Sequence, residues 1–136
     1  MESVGNSAES VAQAFVRAIN RQDVDRLTVL MSSTHRFIDS LGRVIEGRQE
    51  MCEGWAAYFR MVPDYAVAIE EFYPSDPVVV MIGVAEGTYT RDGKLHPENH
   101  WQTPVAIRAR VEDGLVAEWR VYADNEPIRK LMTSGK

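Results

Sequence analysis

The hydrophobic pattern of this chain changes period once, at Tyr65, and that change limits the folds open to it. Before it, apolar residues recur every three or four positions, as on helices with one buried face. Ala8, Val11, Ala12, Phe15, Ala18 and Ile19 make one such face behind Ser7, a residue suited to cap a first turn. Asp23 suits the cap of a short second helix with Val24, Leu27, Leu30 and Met31 inward, ended by Ser32 and Ser33. Residues 35–38 read as a short strand. Gly47 then opens a third helix over about 48–62, with Met51, Cys52, Trp55, Ala56 and Phe59 on one face, and Pro63 stops it.

After Tyr65 the pattern alternates, which predicts strands over 65–73, 78–90, 101–111 and 115–123. Pro74-Ser75-Asp76-Pro77, Asp92-Gly93 and Asp113-Gly114 supply turns between them. Asn125-Glu126-Pro127 can start a terminal helix, since proline is tolerated in a first turn. The order is helix, helix, strand, helix and four antiparallel strands. Helices early and strands late imply an α+β domain, with helices packed on one face of a curved antiparallel sheet that bends around a cavity.

A chain of 136 residues suits one domain spanning 1–136, and it can bury enough surface to fold without a disulfide or a metal. Its net charge of -5 and its lack of a basic stretch with interleaved aromatics argue against nucleic acid and against an anionic membrane surface. One cysteine, Cys52, leaves no internal disulfide framework and fits a reducing compartment. The opening MESVGNSAESVAQAF is polar and acidic where a signal peptide is basic and then apolar. The longest apolar run, PVVVMIGVA, has the length of a buried strand and not of a membrane span. These features point to a soluble, cytoplasmic protein.

Four stretches together resemble a known family. They are VAQAFVRAINRQDVDRLTVLM, FIDSLGRVIEGRQEMCEGW, VVVMIGVAEGTYT and VEDGLVAEWRVYADNEPI. In order and spacing they are similar to the paired helices, acid-bearing strand, third strand and last hairpin of the SnoaL-like group in the NTF2-like superfamily. That superfamily includes ketosteroid isomerases and limonene epoxide hydrolases. The resemblance spans residues 11–132 and rests on the combination, since Asp-Gly hairpins alone are common. It implies a cone-shaped, cystatin-like α+β roll whose interior binds a small hydrophobic or polycyclic molecule. It also implies a homodimer formed through the outer face of the sheet.

The resemblance implies two candidate acids. Asp39, in Phe37-Ile38-Asp39-Ser40-Leu41-Gly42, stands where ketosteroid isomerases carry a general base. Such a base works best with its pKa raised by apolar burial. The alternative is a turn carboxylate accepting N–H bonds near Leu41 and Gly42. Asp124 stands where epoxide hydrolases and polyketide cyclases of this fold carry an acid ending the last strand; the alternative is a cap for the terminal helix. Phe15 and Ala106 occupy the positions of the isomerases' oxyanion donors and cannot donate from their side chains, so Tyr58, His100 or Trp101 would have to replace them. The hydrolases' Arg/Asp pair has no counterpart in Val84-Ala85-Glu86-Gly87-Thr88.

His35 shares Asp39's side of its strand by even offset, giving either a His–Asp proton relay or a solvated edge residue. His100 could tune or relay protons. His96 and His100 have the spacing of helical metal ligands, but Pro97 disfavours a helix there and no third ligand is evident. No metal and no cofactor are expected. Phe15, Trp55, Tyr58, Phe59, Trp101, Trp119 and Tyr122 read as core and pocket lining, with Trp101 at the mouth. Cys52 reads as inert packing. Three functions stay open: isomerase- or cyclase-type proton transfer with Asp39 and Asp124 as acid and base, non-catalytic ligand binding, and epoxide hydrolysis.

Overall fold

In a computed structural model, residues 7–134 are described; residues 1–6 of the polar opening stretch lie outside them. Among the described residues four helices and six strands follow in the order α1 (Ala8–Asn20), α2 (Val24–Leu30), β1 (Met31–Ile38), β2 (Val44–Glu46), α3 (Arg48–Met61), β3 (Ala66–Ser75), β4 (Val78–Thr88), β5 (His100–Glu112), β6 (Leu115–Ala123) and α4 (Glu126–Thr133). A single 3₁₀ turn at Pro97–Asn99 precedes β5. The strands form one curved, open sheet in the order β2-β1-β6-β5-β4-β3. β1 runs parallel to β6, and every other neighbouring pair is antiparallel.

The caps fall where their side-chain chemistry indicates. Ser7 Oγ accepts from Ser10 N at 3.2 Å, and Asp23 Oδ1 accepts from Arg26 N at 3.0 Å. Several elements differ from the periodicity: β3 runs on through Pro74 and Ser75, and β4 stops at Thr88. β1 begins at Met31, so Ser32 and Ser33 extend a strand instead of ending a helix. Met31 is still fully buried, from the strand and not from α2. β2 has no expected counterpart; its three residues are all exposed, and so short a segment carries no alternation.

The inner face of the sheet and the helices share one core. Phe15 of α1 and Trp119 of β6 are 0% and 1% exposed, with ring centroids 4.4 Å apart. Burying each large side chain contributes about 1.5–3 kcal/mol. α1 packs on β3, β4 and β5, while α3 packs on α2, β1 and β2. Asn20, at the end of α1, pairs with β3 as a neighbouring strand would: its amide donates to Val67 O at 3.0 Å and accepts from Val67 N at 2.8 Å. Gln22 Nε2 donates to Tyr65 O at 2.7 Å. These bonds satisfy the backbone at the start of β3 and fix its position under α1.

Alternation separates the two faces of β4. Val79, Met81 and Ala85 are buried inward, while Val78, Val80, Ile82 and Val84 are half-buried on the outer face. The outer set continues into Ala68 and Tyr73 of β3 and into Pro104 and Ala106 of β5 by register. Towards β1 this face becomes charged, with Glu118 between Arg108 at 3.0 Å and Arg36 at 3.5 Å. Among the described residues no helix is long and apolar enough to cross a membrane.

Candidate functional site

Topology gathers one set of side chains at one end of the sheet. There β1, β4 and β6 end and β3 and β5 begin, so Asp39, Ala85, Ala123, Tyr65 and Trp101 lie near the same rim. α3 stands over this end and contributes Met51, Gly54, Trp55 and Tyr58. Between them lies a cavity of about 350 Å³, closed below by Ile107, Val105 and Trp119 of the core. Its size and predominantly apolar lining are those of a small-molecule site, roughly 300–1,000 Å³.

Close backbone contact shapes the β3 side. A Cβ on Gly87 would lie 2.3 Å from Val62 Cγ1 and 3.3 Å from Tyr65 Cα. Glycine therefore lets β4 approach the segment that carries Tyr65. Aromatic rings line the wall beside it: Phe37–Trp55 at 6.1 Å, Trp55–Tyr58 at 6.4 Å, Tyr58–Tyr65 at 5.0 Å and Tyr65–Trp101 at 6.0 Å between centroids. Trp55 also stacks on Phe59 at 5.5 Å. Burial pushes the Tyr58 hydroxyl pKa far up, and pushes that of Tyr65 up to about 12. Both phenols are neutral at physiological pH.

The rim opposite is polar and built by a turn. Asp39 N donates to Arg43 O at 3.0 Å and Gly42 N donates to Asp39 O at 2.9 Å, with Gly42 at φ 82°, a conformation glycine adopts without strain. Asp39 Oδ1 accepts from Leu41 N at 2.9 Å and Arg43 N at 3.0 Å, and Oδ2 accepts from Arg43 Nε at 2.8 Å. Partial burial acts to raise the Asp39 pKa. The bonds from Arg43 and Leu41, with the Arg43 charge, outweigh it and hold the carboxyl below its usual value. Asn125 donates to Ser40 Oγ across the rim, and exposed Leu41, Val44 and Ile45 form an apolar lip.

The turn reading of Asp39 thus describes its bonding, and Asp39 also lines the cavity. Its pKa moves opposite to the elevation expected of a buried base. Asp124 is exposed and outside the lining; its Oδ1 accepts from Glu126 N at 3.0 Å at the start of α4, and its backbone carbonyl accepts from Thr103 Oγ1 at 2.9 Å. The cavity position falls to its neighbour Asn125, so the two carboxylates do not meet in one pocket.

His35 is fully buried, not an edge residue, and does not line the cavity. Its Nδ1 donates to Val116 O at 2.7 Å, and Nε2 has no partner among the described residues. Burial lowers its pKa against the raising effect of the Val116 bond, so the ring is neutral. The even offset does place His35, Phe37 and Asp39 on one side, yet four strand residues span about 13 Å. His35 sits beneath Phe15, at 6.2 Å between rings, too deep to relay protons to Asp39.

His100 is also displaced from the cavity. Its Nδ1 lies 3.1 Å from Thr88 Oγ1 and its Nε2 3.3 Å from Glu86 Oε2. Thr88 Oγ1 in turn donates to Asp64 at 2.7 Å. His100 therefore ties the ends of β4 and β5 together at the outer edge. His96 pairs with Asp92 at 3.1 Å, and no group of three His, Cys, Asp or Glu among the described residues is arranged to hold a metal ion.

Of the aromatic candidates, Trp55, Tyr58, Trp101 and Trp119 line the cavity. Phe15 and Phe59 pack behind that lining in the core. Tyr122 points the other way: from Ala117 onward the odd positions of β6 face inward, leaving Tyr122 49% exposed with its ring under Arg120 at 5.0 Å. Cys52 is half-buried, outside the main core cluster. Sequence reasoning missed Phe37, Tyr65, Thr103, Arg43 and Asn125 as lining residues. Tyr65 and Thr103 were accessible from strand parity, since they share a face with Val67 and Val105; Arg43 and Asn125 sit in loops that periodicity does not orient.

Comparison with known proteins places this geometry in a lineage. The family model for the SnoaL-like domain matches residues 12–119. No curated protein matches the sequence. Among solved structures, a proposed SnoaL-like polyketide cyclase from Shewanella denitrificans OS-217 superposes with a TM-score of 0.79 at 16% identity, over 93% of this chain and 97% of that one. IdmH, a proposed polyketide cyclase from Streptomyces antibioticus, gives 0.75 at 17% identity over 92% and 97%. A hypothetical protein with a ketosteroid isomerase-like fold from Catenulispora acidiphila DSM 44928 gives 0.71 at 18% identity over 82% and 83%. At these identities the likeness establishes the fold: an NTF2-like α+β architecture. The chain belongs to the SnoaL-like domain family.

Proposed function

We propose that this protein binds a small, largely apolar ring molecule in the cavity at the open end of its sheet. The observation that carries the reading is the cavity itself: about 350 Å³, walled by aromatic rings, with its charged groups confined to the rim. A neutral ring probe such as naphthalene should raise the melting temperature in proportion to its occupancy. Gly54 provides the control. A Cβ there meets nothing closer than Met51 Sδ at 3.7 Å, so Gly54→Leu extends into the cavity from an unstrained helix position. The variant should fold and lose the stabilisation; retention of it would place the ligand elsewhere.

One observation favours a second reading, cofactor-free proton transfer of the isomerase or cyclase type. Asp39 is the only carboxylate among the cavity's lining residues. Held ionised by its turn, it is in the form that accepts a proton from carbon beside a carbonyl, though its lowered pKa makes it a weak base. Asp124 takes no part in this version. Exchange of α-hydrogens of a bound ring ketone with deuterated water, followed by NMR, tests it. Asp39→Asn should abolish exchange while leaving binding intact; unchanged exchange removes Asp39 from the chemistry and leaves the binding reading. Epoxide hydrolysis has no supporting arrangement around Glu86.

The same reading includes a homodimer through the outer face of β3, β4 and β5. Its support is the half-buried row Val78, Val80, Ile82 and Val84, an apolar stripe of the kind that marks association surfaces.

A further inference from the structure

The outer face of the sheet carries two side-chain units of opposite charge, one on each side of its apolar centre. On β3, the Tyr73 hydroxyl donates to Glu71 Oε1, and both residues are exposed. On β6, the Arg120 guanidinium lies over the Tyr122 ring at 5.0 Å. Register sets these units in two rows across four strands. One row is Tyr73, Val80, Arg108 and Arg120; the next is Glu71, Ile82, Ala106 and Tyr122. Val80, Ile82 and Ala106 thus separate an acidic edge from a basic one.

Neither edge is balanced within the chain. Arg108 and Arg120 stand directly opposite each other, an arrangement of like charges that destabilises a strand pair. Glu118 relieves Arg108 at 3.0 Å and Arg36 at 3.5 Å, but it makes no bond to Arg120. Arg120 has no ion-pair partner among the described residues, and its Nε is buried without a hydrogen-bond acceptor. Glu71 meets no cation among them either, and Glu70 beside it adds a second exposed carboxylate.

We propose that two copies of the chain pack outer face to outer face about a two-fold axis that runs along the strands, between β4 and β5, so that each Arg120 receives Glu71 of the other copy. This axis lays β3 over β6 of the second copy and β4 over its β5. The acidic edge of each copy then covers the basic edge of the other, with Val80 and Ile82 against the middle of the facing sheet. Facing sheets stand about 10 Å apart, a gap that an arginine and a glutamate span together. A two-fold axis across the strands would instead lay β3 on β3 and β6 on β6, like charge on like. Such edges fix orientation more than they add affinity. The proposal rests on the dimer reading above and specifies its axis and its contacts.

Charge reversal tests the pairing by analytical ultracentrifugation. Glu71→Arg and Arg120→Glu should each raise the dimer dissociation constant about tenfold or more, since each brings like charges together twice. Mixed in equal amounts, the two variants should dimerise as the wild type does, because both contacts across the mixed pair are again between opposite charges. Glu53→Arg on α3 makes the same change of net charge as Glu71→Arg, away from this face, and should leave the constant unchanged. An equal loss with Glu53→Arg would assign the effect to net charge and overturn the pairing. Higher salt should weaken the wild-type dimer, a readout that needs no variant to fold. A dimer that Ile82→Asp dissociates, but that neither reversal nor salt weakens, overturns the pairing and leaves the dimer standing. Reversed variants that dissociate yet fail to recover on mixing also overturn the pairing. A wild-type protein that stays monomeric overturns both.

Discussion

Arg43 Nε lies 2.8 Å from Asp39 Oδ2, closing a turn in which the backbone N–H groups of Leu41 and Arg43 already hold Oδ1. The acid at the rim of the cavity is therefore secured by its own loop. Its depressed pKa contributes stability that is present above the unfolded value, near 3.8, and lost as pH falls through the folded one. Arg43 is 74% exposed, so solvent screens the pair, which is worth about 0.2–1 kcal/mol. Arg43→Ala should raise the Asp39 titration midpoint seen by NMR and lower stability at neutral pH within that range. An unmoved midpoint would mean that Arg43 does not control this carboxylate.

His35 gives the protein a second pH dependence of the same sign, acting at higher pH. Its native pKa is lowered, so below about 6.5 the unfolded chain takes up a proton that the native core refuses. Stability should be full above that pH and decline as pH falls towards the folded value. Urea unfolding at pH 7.5 and 5.5 measures it. His35→Phe should flatten the decline while costing about 1–3 kcal/mol at pH 7.5, because Val116 loses its buried side-chain donor. An equal decline in the variant would assign it to another group.

Two glycines should respond in opposite ways to alanine. At Gly87 the added methyl meets Val62 Cγ1 at 2.3 Å, a side chain with no exposure, beside Tyr65. Gly87→Ala should cost about 1–3 kcal/mol and disturb the wall carrying Tyr65. Gly54 sits mid-helix, where an added methyl would make only ordinary contact with Met51, so Gly54→Ala should stabilise by up to about 1 kcal/mol. Chemical denaturation of both variants checks the pair; a neutral Gly87→Ala would contradict the close approach.

The outer sheet face predicts an association equilibrium. If Val80 and Ile82 are covered by a second copy, Ile82→Asp should shift sedimentation from dimer to monomer with helix content unchanged. A wild-type monomer at high concentration would remove the dimer from the account.

Much of the fold was legible because its signals are periodic. α1, α3 and the alternation of β4 to β6 each repeat a pattern long enough to register a face, and Ser7 and Asp23 mark caps by simple chemistry. β2 escaped because three exposed residues have no period. The parallel pairing of β1 with β6 links residues far apart in the chain, and local pattern carries no information about it. At the site, Trp55, Tyr58, Trp101 and Trp119 were legible as apolar positions. Parity within β6 would have excluded Tyr122, which has the opposite parity to Trp119. The turn role of Asp39 and the helix-start role of Asp124 were legible only as alternatives to catalysis, and the burial of His35 was not legible, since the choice depends on partners such as Arg43, Glu126 and Val116 that only the folded turns and strand pairings supply.

All three tryptophans of the chain, Trp55, Trp101 and Trp119, line the same cavity, so their fluorescence reports its occupancy without a label. Titration of the wild-type protein with fluorenone tests the central claim most directly. The account predicts a saturable quench that fits one site per chain and disappears in Gly54→Leu. A quench that rises linearly without saturation, or that persists undiminished in a folded Gly54→Leu protein, would contradict it.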